Sequence, residues 1–376
     1  MVDHKTRKVN TEKPTTLQIY RPIFTDLMNA SLKRPTLADV AKLAEVSLGT
    51  ASRALSIPER VKPKTLEKVN AVVTKLGYVR NGAAQALASK KTQTVAAIFP
   101  TINNPVYASS INALEQALWR LGYQLLIASH EYHAVPELKV VRTMLERGVD
   151  GLILVGTDHD ESVYTLIKLH GTPCVLFWSL DETNYPHCIG FSNHLAAYNM
   201  AKLVLAKGHT KIAICSGSTW HNERARTRIT GTLDALAEAG VDVPAPWIIK
   251  QPFSFDGGRN ALKELWSKKK RPTALICGTD LQAIGALHEC QLQNIHIPTD
   301  LSITGFDDIE YASITTPSLT TVHVPTSEIG ARAAKKIIDL INGKDHSRKH
   351  LSKDTFVATI IERDSLGPIT RSGQRR

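Results

Sequence analysis

Asp307 and Arg228 are the residues of this 376-residue chain best placed for polar chemistry. Asp307 follows the apolar run Leu301–Phe306, and its carboxylate can accept two hydroxyl groups. Arg228 stands at the head of a helical stretch after Lys211–Gly217, where its guanidinium can donate a fork to hydroxyl or carboxylate oxygens. Thr279 and Asp280 follow Thr273–Gly278 in the same manner, and Thr157 follows Gly151–Gly156. Asp280 has the place of a cap for the next helix, and Asp308 that of a solvated neighbour. Arg224, Arg226 and Arg228 cannot all face one way, because successive helical residues turn by about 100°. These groups suit binding better than catalysis. No GxGxxG follows the first strand-like run, and neither a Walker loop nor HExxH occurs. Asp307 and Asp308 have no convincing third ligand nearby, the fourteen histidines show no ligand spacing, and His209 suits a structural role. Neither a metal nor a cofactor is expected.

The elements that must position these groups begin at Thr94. Apolar runs at Thr94–Pro100, Tyr123–Ser129, Gly151–Thr157, Pro173–Ser179, Lys211–Gly217, Thr273–Thr279 and Leu301–Asp307 alternate with amphipathic helical stretches. Runs buried on both faces and separated by crossover helices indicate parallel sheets. So many βα units over 94–365 make two doubly wound lobes, an α/β body, more naturally than one. The five cysteines are dispersed without a CxxC pair, which fits reduced, buried thiols in a cytoplasmic protein. No apolar run reaches a membrane span, and the N-terminus lacks the apolar core of a signal peptide, so no membrane partner is expected.

Charge is concentrated at the front. Residues 1–93 hold 17 lysines and arginines against 7 acidic residues, while the remainder holds 29 against 28. A whole net charge gathered in one terminal module favours a polyanionic partner. After an extension over 1–33, in which Ile19–Met28 can form a short helix, residues 34–80 read as an all-α module. Thr36 can cap a first helix, with Asp39 completing a capping box. Ser47 can cap a second, in which Ala51 and Leu55 face inward and Leu48, Gly49, Ser52 and Arg53 face out. A third starts near Pro63 and stops at Gly77, with Leu66, Val69, Val73 and Leu76 closing a small core. This is helix-turn-helix geometry, whose second helix enters the DNA major groove. Residues 81–93 form a linker, and Gly82 makes a helix there marginal alone, by about 1 kcal/mol relative to alanine.

The string TLADVAKLAEVS from Thr36 to Ser47, followed by GTASRAL from Gly49 to Leu55, resembles the headpiece of the LacI/GalR family of bacterial repressors. NGAAQALA from Asn81 to Ala88 resembles that family's hinge helix. The similarity continues through RGVDGLI at 147–153, KGHTKI at 207–212, RTR at 226–228, GFDD at 305–308, LTTV at 319–322 and IERD at 361–364. The body in turn is similar to the two-lobed periplasmic sugar-binding fold, whose ligands lie in the cleft between lobes. The resemblance implies that Leu48, Gly49 and Arg53 face bases, Arg53 donating bidentately to guanine. It implies that Thr36, Ser47, Thr50 and Thr65 bond phosphates, and that Asn81, Ala84 and Leu87 belong to a hinge whose leucine wedges into the minor groove. For the cleft it implies Tyr107, Trp178, Arg228, Phe253, Thr279 and Asp307 as effector ligands. Lys62 and Leu66 depart from the family's usual Ser and Arg, and Lys62 and Lys64 can supply charge instead. Arg224 replaces a smaller residue and, beside Arg228, points to an acidic ligand such as a sugar acid. The implied function is a homodimeric repressor on a palindromic double-stranded operator, released by a small sugar-like effector. A corepressor-dependent regulator, a sugar transport protein and an enzyme on doubly wound lobes are the alternatives. A basic tail, 366–376, closes the chain.

Overall fold

The structure is a computed structural model that describes residues 34–132, 134–180, 185, 187–344 and 352–369. The extension over 1–33, with its helix at Ile19–Met28, and the last seven residues of the basic tail lie outside the described residues. Two compact units part between Gln85 and Ala86.

The first unit holds α1 (Leu37–Leu43), α2 (Leu48–Ser56) and α3 (Pro63–Leu76). Thr36 and Asp39 make both bonds of the capping box, an arrangement worth about 0.5–2 kcal/mol to a helix this short. The Ser47 hydroxyl accepts from the Thr50 amide and starts α2. Lys62 makes no side-chain cap for α3, and Pro63 at the first position needs one amide less to be satisfied. Gly77 ends α3 at φ 59°, in the left-handed region that favours glycine. Val40, Ala44, Ala54 and Val69 form the buried centre, with Leu66, Val73 and Leu76 packed round it. Ala51 is buried as expected, but Ala54 takes the fully buried place expected of Leu55, which packs only at the edge. α4 (Gly82–Ser89) follows and crosses the division between the units; the Asn81 side chain accepts from the Ala84 amide at its start.

The second unit begins with β1 (Thr94–Phe99), α5 (Pro105–Arg120), β2 (Gln124–Ser129), α6 (Ala134–Glu146), β3 (Gly151–Val155), α7 (Glu161–His170), β4 (Cys174–Phe177) and β5 (His187–Gly190). It continues with α8 (Asn193–Ala206), β6 (Ile212–Ser216), α9 (Glu223–Glu238), β7 (Ile248–Lys250), α10 (Phe255–Trp266), β8 (Ala274–Cys277), α11 (Asp280–Leu292) and β9 (Ser302–Thr304). It closes with α12 (Glu310–Ile314), β10 (Thr321–His323), α13 (Thr326–Ile341), β11 (Ser352–Thr355) and β12 (Thr359–Ile361). All seven apolar runs form strands. β5, β7 and β10 to β12 were not anticipated, because three or four residues carry too little periodicity to register.

Lobe 1 is a parallel six-stranded sheet in the order β11-β5-β4-β3-β1-β2, and lobe 2 a parallel four-stranded sheet in the order β7-β6-β8-β9. β3, β4, β6 and β8 are buried along their whole length, as helices on both faces require. α13 comes late in the chain yet packs on α5 and on β3 and β4, so the chain returns to lobe 1 after building lobe 2. β10 and β12 pair antiparallel along that return. Lobe 2 runs four residues past the expected boundary at 365. Leu366 is buried, the Ile369 amide bonds the Lys207 carbonyl, and His209, buried as a structural histidine, bridges Thr273 and the Gly367 carbonyl at 3.0 Å each.

Candidate functional site

In each sheet the first strand of the lobe lies between the next two, β1 between β2 and β3, β6 between β7 and β8. Successive connections therefore leave in opposite directions, and a crevice opens where their carboxyl ends diverge. The two lobes set these ends around one open cleft. Tyr107, Trp178, Arg228, Phe253, Thr279 and Asp307 all line it. Tyr107 and Trp178 come from lobe 1 and the other four from lobe 2.

Asp307 and Trp178 hold their places under strain. Asp307 sits at φ 119° and Trp178 at φ 79°, and such a backbone costs a residue with a side chain about 1–3 kcal/mol. Main-chain bonds enforce both: the Asp307 amide donates to the Val322 carbonyl and the Trp178 amide to that of Ile189, at 2.9 and 2.8 Å. The indole Nε1 of Trp178 is buried and bonds no described group. An orphaned buried donor is costly, so a donor at a cavity wall marks where an acceptor belongs. Trp178 also packs in the lobe 1 core, its ring edge-on to Tyr107 at 5.0 Å.

Arg228 is fixed on three sides. Its Nε donates to Asn193 Oδ1 at 2.9 Å, its Nη1 to the Gly278 carbonyl at 2.7 Å, and its guanidinium lies 3.6 Å from the Phe306 ring centre. Asp307 Oδ1 is 3.6 Å from Nη1. Burial pushes the Asp307 carboxyl up to about 7, with Arg228 opposing the shift. Burial likewise lowers the Arg228 pKa, with Asp307 opposing. Thr279 spends its hydroxyl oxygen on the Gln282 amide as the cap of α11. The cap expected of Asp280 is thereby corrected. Asp280 is fully buried at the first position of α11 and fastens Ile309 N at 2.9 Å and Thr321 Oγ1 at 2.5 Å. Asp308 is likewise paired rather than solvated, with Arg363 Nη2 at 2.7 Å and His323 Nδ1 at 2.9 Å.

Arg224 does line the cavity, one helical turn from Arg228, while Arg226 turns away to Asp158 at 2.6 Å. The charge of Arg224 is offset by an acidic neighbour, however. Its Nη1 lies 3.1 Å from Oε1 of the buried Glu223. Burial works against its charged form, but the Glu223 carboxylate together with the Tyr107 and Tyr132 side chains outweighs that effect and raises its pKa. Sequence reasoning missed Asn104, Tyr132 and Asn222 in the lining, and Asn193 behind Arg228. Tyr132 faces Phe253 across the cleft at 5.8 Å between rings. Its place just after β2 was the one signal that could have found it.

In the first unit Leu48, Gly49 and Arg53 all stand exposed on one side of α2, with Leu48 at 55%. Thr36, Ser47 and Thr50 sit at the starts of α1 and α2 with their hydroxyls in local bonds, Ser47 Oγ and Thr50 Oγ1 being 2.8 Å apart. Thr65 is half-buried in the first turn of α3, Asn81 and Ala84 are exposed, and Leu87 is 84% exposed on α4.

Residues 36–81 match the family of bacterial regulatory proteins named lacI, and residues 201–366 match the periplasmic binding protein-like domain. Catabolite control protein A of Priestia megaterium is 31% identical over 327 residues, which cover 87% of this chain and 96% of that one. The chain belongs to the LacI family. The ribose operon repressor of Haemophilus influenzae is similarly 31% identical over 331 residues, covering 88% and 98%. A crystal structure of a LacI family transcriptional regulator from Silicibacter pomeroyi has a TM-score of 0.79 at 27% identity, covering 89% of this chain and 99% of that one. Like its LacI-family relatives, the chain is a DNA-binding transcription regulator with a helix-turn-helix and a periplasmic-binding-protein-like body. No helix among the described residues is long and apolar enough to cross a membrane.

Proposed function

We propose that this regulator represses genes for the use of a neutral sugar, and that the sugar binds between the lobes and releases the operator. The carrying observation is the charge pattern of the cavity. Arg224 is held by Glu223 and Arg228 lies against Asp307, so the lining presents hydrogen-bonding groups with its charges offset. Asp307 accepts hydroxyls, the free indole N–H of Trp178 donates to an oxygen, and the rings of Tyr107, Tyr132 and Phe253 suit a sugar's C–H faces. A paired Arg224 argues against the acidic effector that the sequence suggested. The similarity to a ribose operon repressor supports the carbohydrate class.

On DNA, two copies read the two halves of a palindrome in the cytoplasm. In each copy Leu48, Gly49 and Arg53 face base edges. Thr36, Ser47, Thr50 and Thr65 bond phosphates, and Asn81, Ala84 and Leu87 work from the hinge in the minor groove. Effector and operator are coupled through the preference of each for one lobe arrangement, since a ligand shifts an equilibrium only by its differential affinity. The test is a gel shift on a palindromic duplex with a panel of neutral sugars and the matching sugar acids. Release by neutral sugars alone is expected. Release only by acids would overturn the neutral assignment, and tighter binding with sugar would make the effector a corepressor.

A further inference from the structure

The start of α9 is tied to the end of β3 by direct contacts between the two lobes. The Thr157 amide donates to Glu223 Oε1 at 2.9 Å. Arg224 Nη1 donates to the Val155 carbonyl at 3.3 Å and to the same Glu223 carboxylate. One residue further along lobe 1, Asp158 Oδ2 takes Arg226 Nη1 at 2.6 Å, and that nitrogen also bonds the Thr219 carbonyl. Three stations at the end of β3 and in the loop that follows it thus meet three residues of the first turn of α9, across the line between the lobes. Glu223 and Arg224 are both buried, at 1% and 6% exposure, so the pair acts where water screens it little.

The lobe 1 half is shaped for this contact. Gly156 has φ +92°, and a Cβ built there would lie 1.7 Å from Arg224 Nη1 and 2.9 Å from Glu223 Oε1. The guanidinium occupies the space that any side chain at 156 would need. The loop is also held from behind. His159 Nε2 meets the Gly156 carbonyl at 3.2 Å while its Nδ1 meets Glu137 Oε1 at 2.7 Å, and the Tyr164 hydroxyl donates to the Thr157 carbonyl at 2.7 Å. A rigid acceptor and donor set therefore faces the ion pair, which lowers the entropy lost in making the contact.

We propose that Glu223, Arg224 and Arg226, seated on Gly156, form an inter-lobe clasp built from the chain's own atoms. The clasp fixes one edge of the cleft without help from an effector, so the lobes move by swinging about that edge. The geometry assigns Arg224 to positioning of the lobes rather than to recognition of an anion.

Hydrogen exchange of the Thr157 amide in the full-length, effector-free protein tests this directly. That amide donates to Glu223 across the cleft, so it should be protected in the wild type and exchange at least tenfold faster in Glu223→Ala. Glu223→Gln keeps an oxygen for Thr157 and should fall between the two. The amides of Leu154 and Ile214, inside β3 and β6, serve as folding controls and should stay protected in all three. Wild-type exchange of Thr157 at the rate of an open loop, or equal protection in Glu223→Ala, would overturn the clasp. If Glu223→Ala exposes the controls as well, Gly156→Ala, which displaces Arg224, is measured against the same amides. Thr157 must then lose protection there while Leu154 and Ile214 keep theirs, or the clasp is rejected. The proposal rests on the cleft reading only for its regulatory meaning; no effector enters the measurement, so the sugar assignment and the clasp can fail separately.

Discussion

Lowering the pH from 8 to 6 should weaken effector binding about tenfold, through Asp307 alone. The carboxyl is pushed up to about 7 by burial, against the pull of Arg228. If the ionised form is the one that accepts sugar hydroxyls, the competent fraction falls from about nine tenths at pH 8 to about one tenth at pH 6, a loss of ~1.4 kcal/mol. Stability moves the other way. A folded-state pKa above the ordinary 3.8 stabilises the protein at acid pH, and that contribution disappears as the pH rises through 7. The free protein should therefore be less stable above 7, where it binds best. Asp307→Asn removes the titration and replaces a charged acceptor with a neutral one, at about 1–2 kcal/mol for each hydroxyl held. The variant should retain operator binding, bind sugar at least tenfold more weakly at pH 8, and show no change between pH 8 and 6. Calorimetry at three pH values, on wild type and variant, decides the matter. A flat wild-type profile, or the same slope in Asp307→Asn, would refute the reasoning.

Trp178→Phe removes the unpaired indole donor while keeping an aromatic wall, so sugar affinity should fall about three- to tenfold. Thermal unfolding should be unchanged or raised, and a marked loss of stability would show that the indole N–H is already satisfied. Arg53→Ala should cost roughly 1–3 kcal/mol on the operator and relax the preference at one base pair per half-site. Selection from randomised duplexes reads this out, and an equal loss on every sequence would assign Arg53 to phosphate instead. Leu87→Ala should reduce specific binding while sparing nonspecific affinity, since unstacking at the wedge occurs only in the kinked complex. Energy transfer between the duplex ends would show an undiminished bend if Leu87 were not the wedge.

The sequence by itself determined whatever depends on near neighbours along the chain. Thr36 and Asp39 are three residues apart, and Ser47 is three from Thr50, so both caps of the helix-turn-helix were legible. Long apolar runs announced the seven main strands, and Asp307 and Thr279 were legible as polar residues just after such runs. Tyr107, Trp178, Arg228 and Phe253 were named by the family resemblance, and all six line one cavity. The tertiary structure decided how those groups are partnered and charged. Arg224 looked like a free cation until Glu223 and the carbonyl of Val155, 69 residues earlier, were brought against it. Asp280 looked like a cap until Thr321, 41 residues later, took its carboxylate. Tyr132 entered the site because its ring meets Phe253 from the other lobe. Spacing fixes which side of an element a residue takes, since that is set by backbone periodicity. Ion pairing and shifted pKa values depend instead on burial and on charges arriving from distant parts of the chain, and only the folded arrangement of both lobes supplies those.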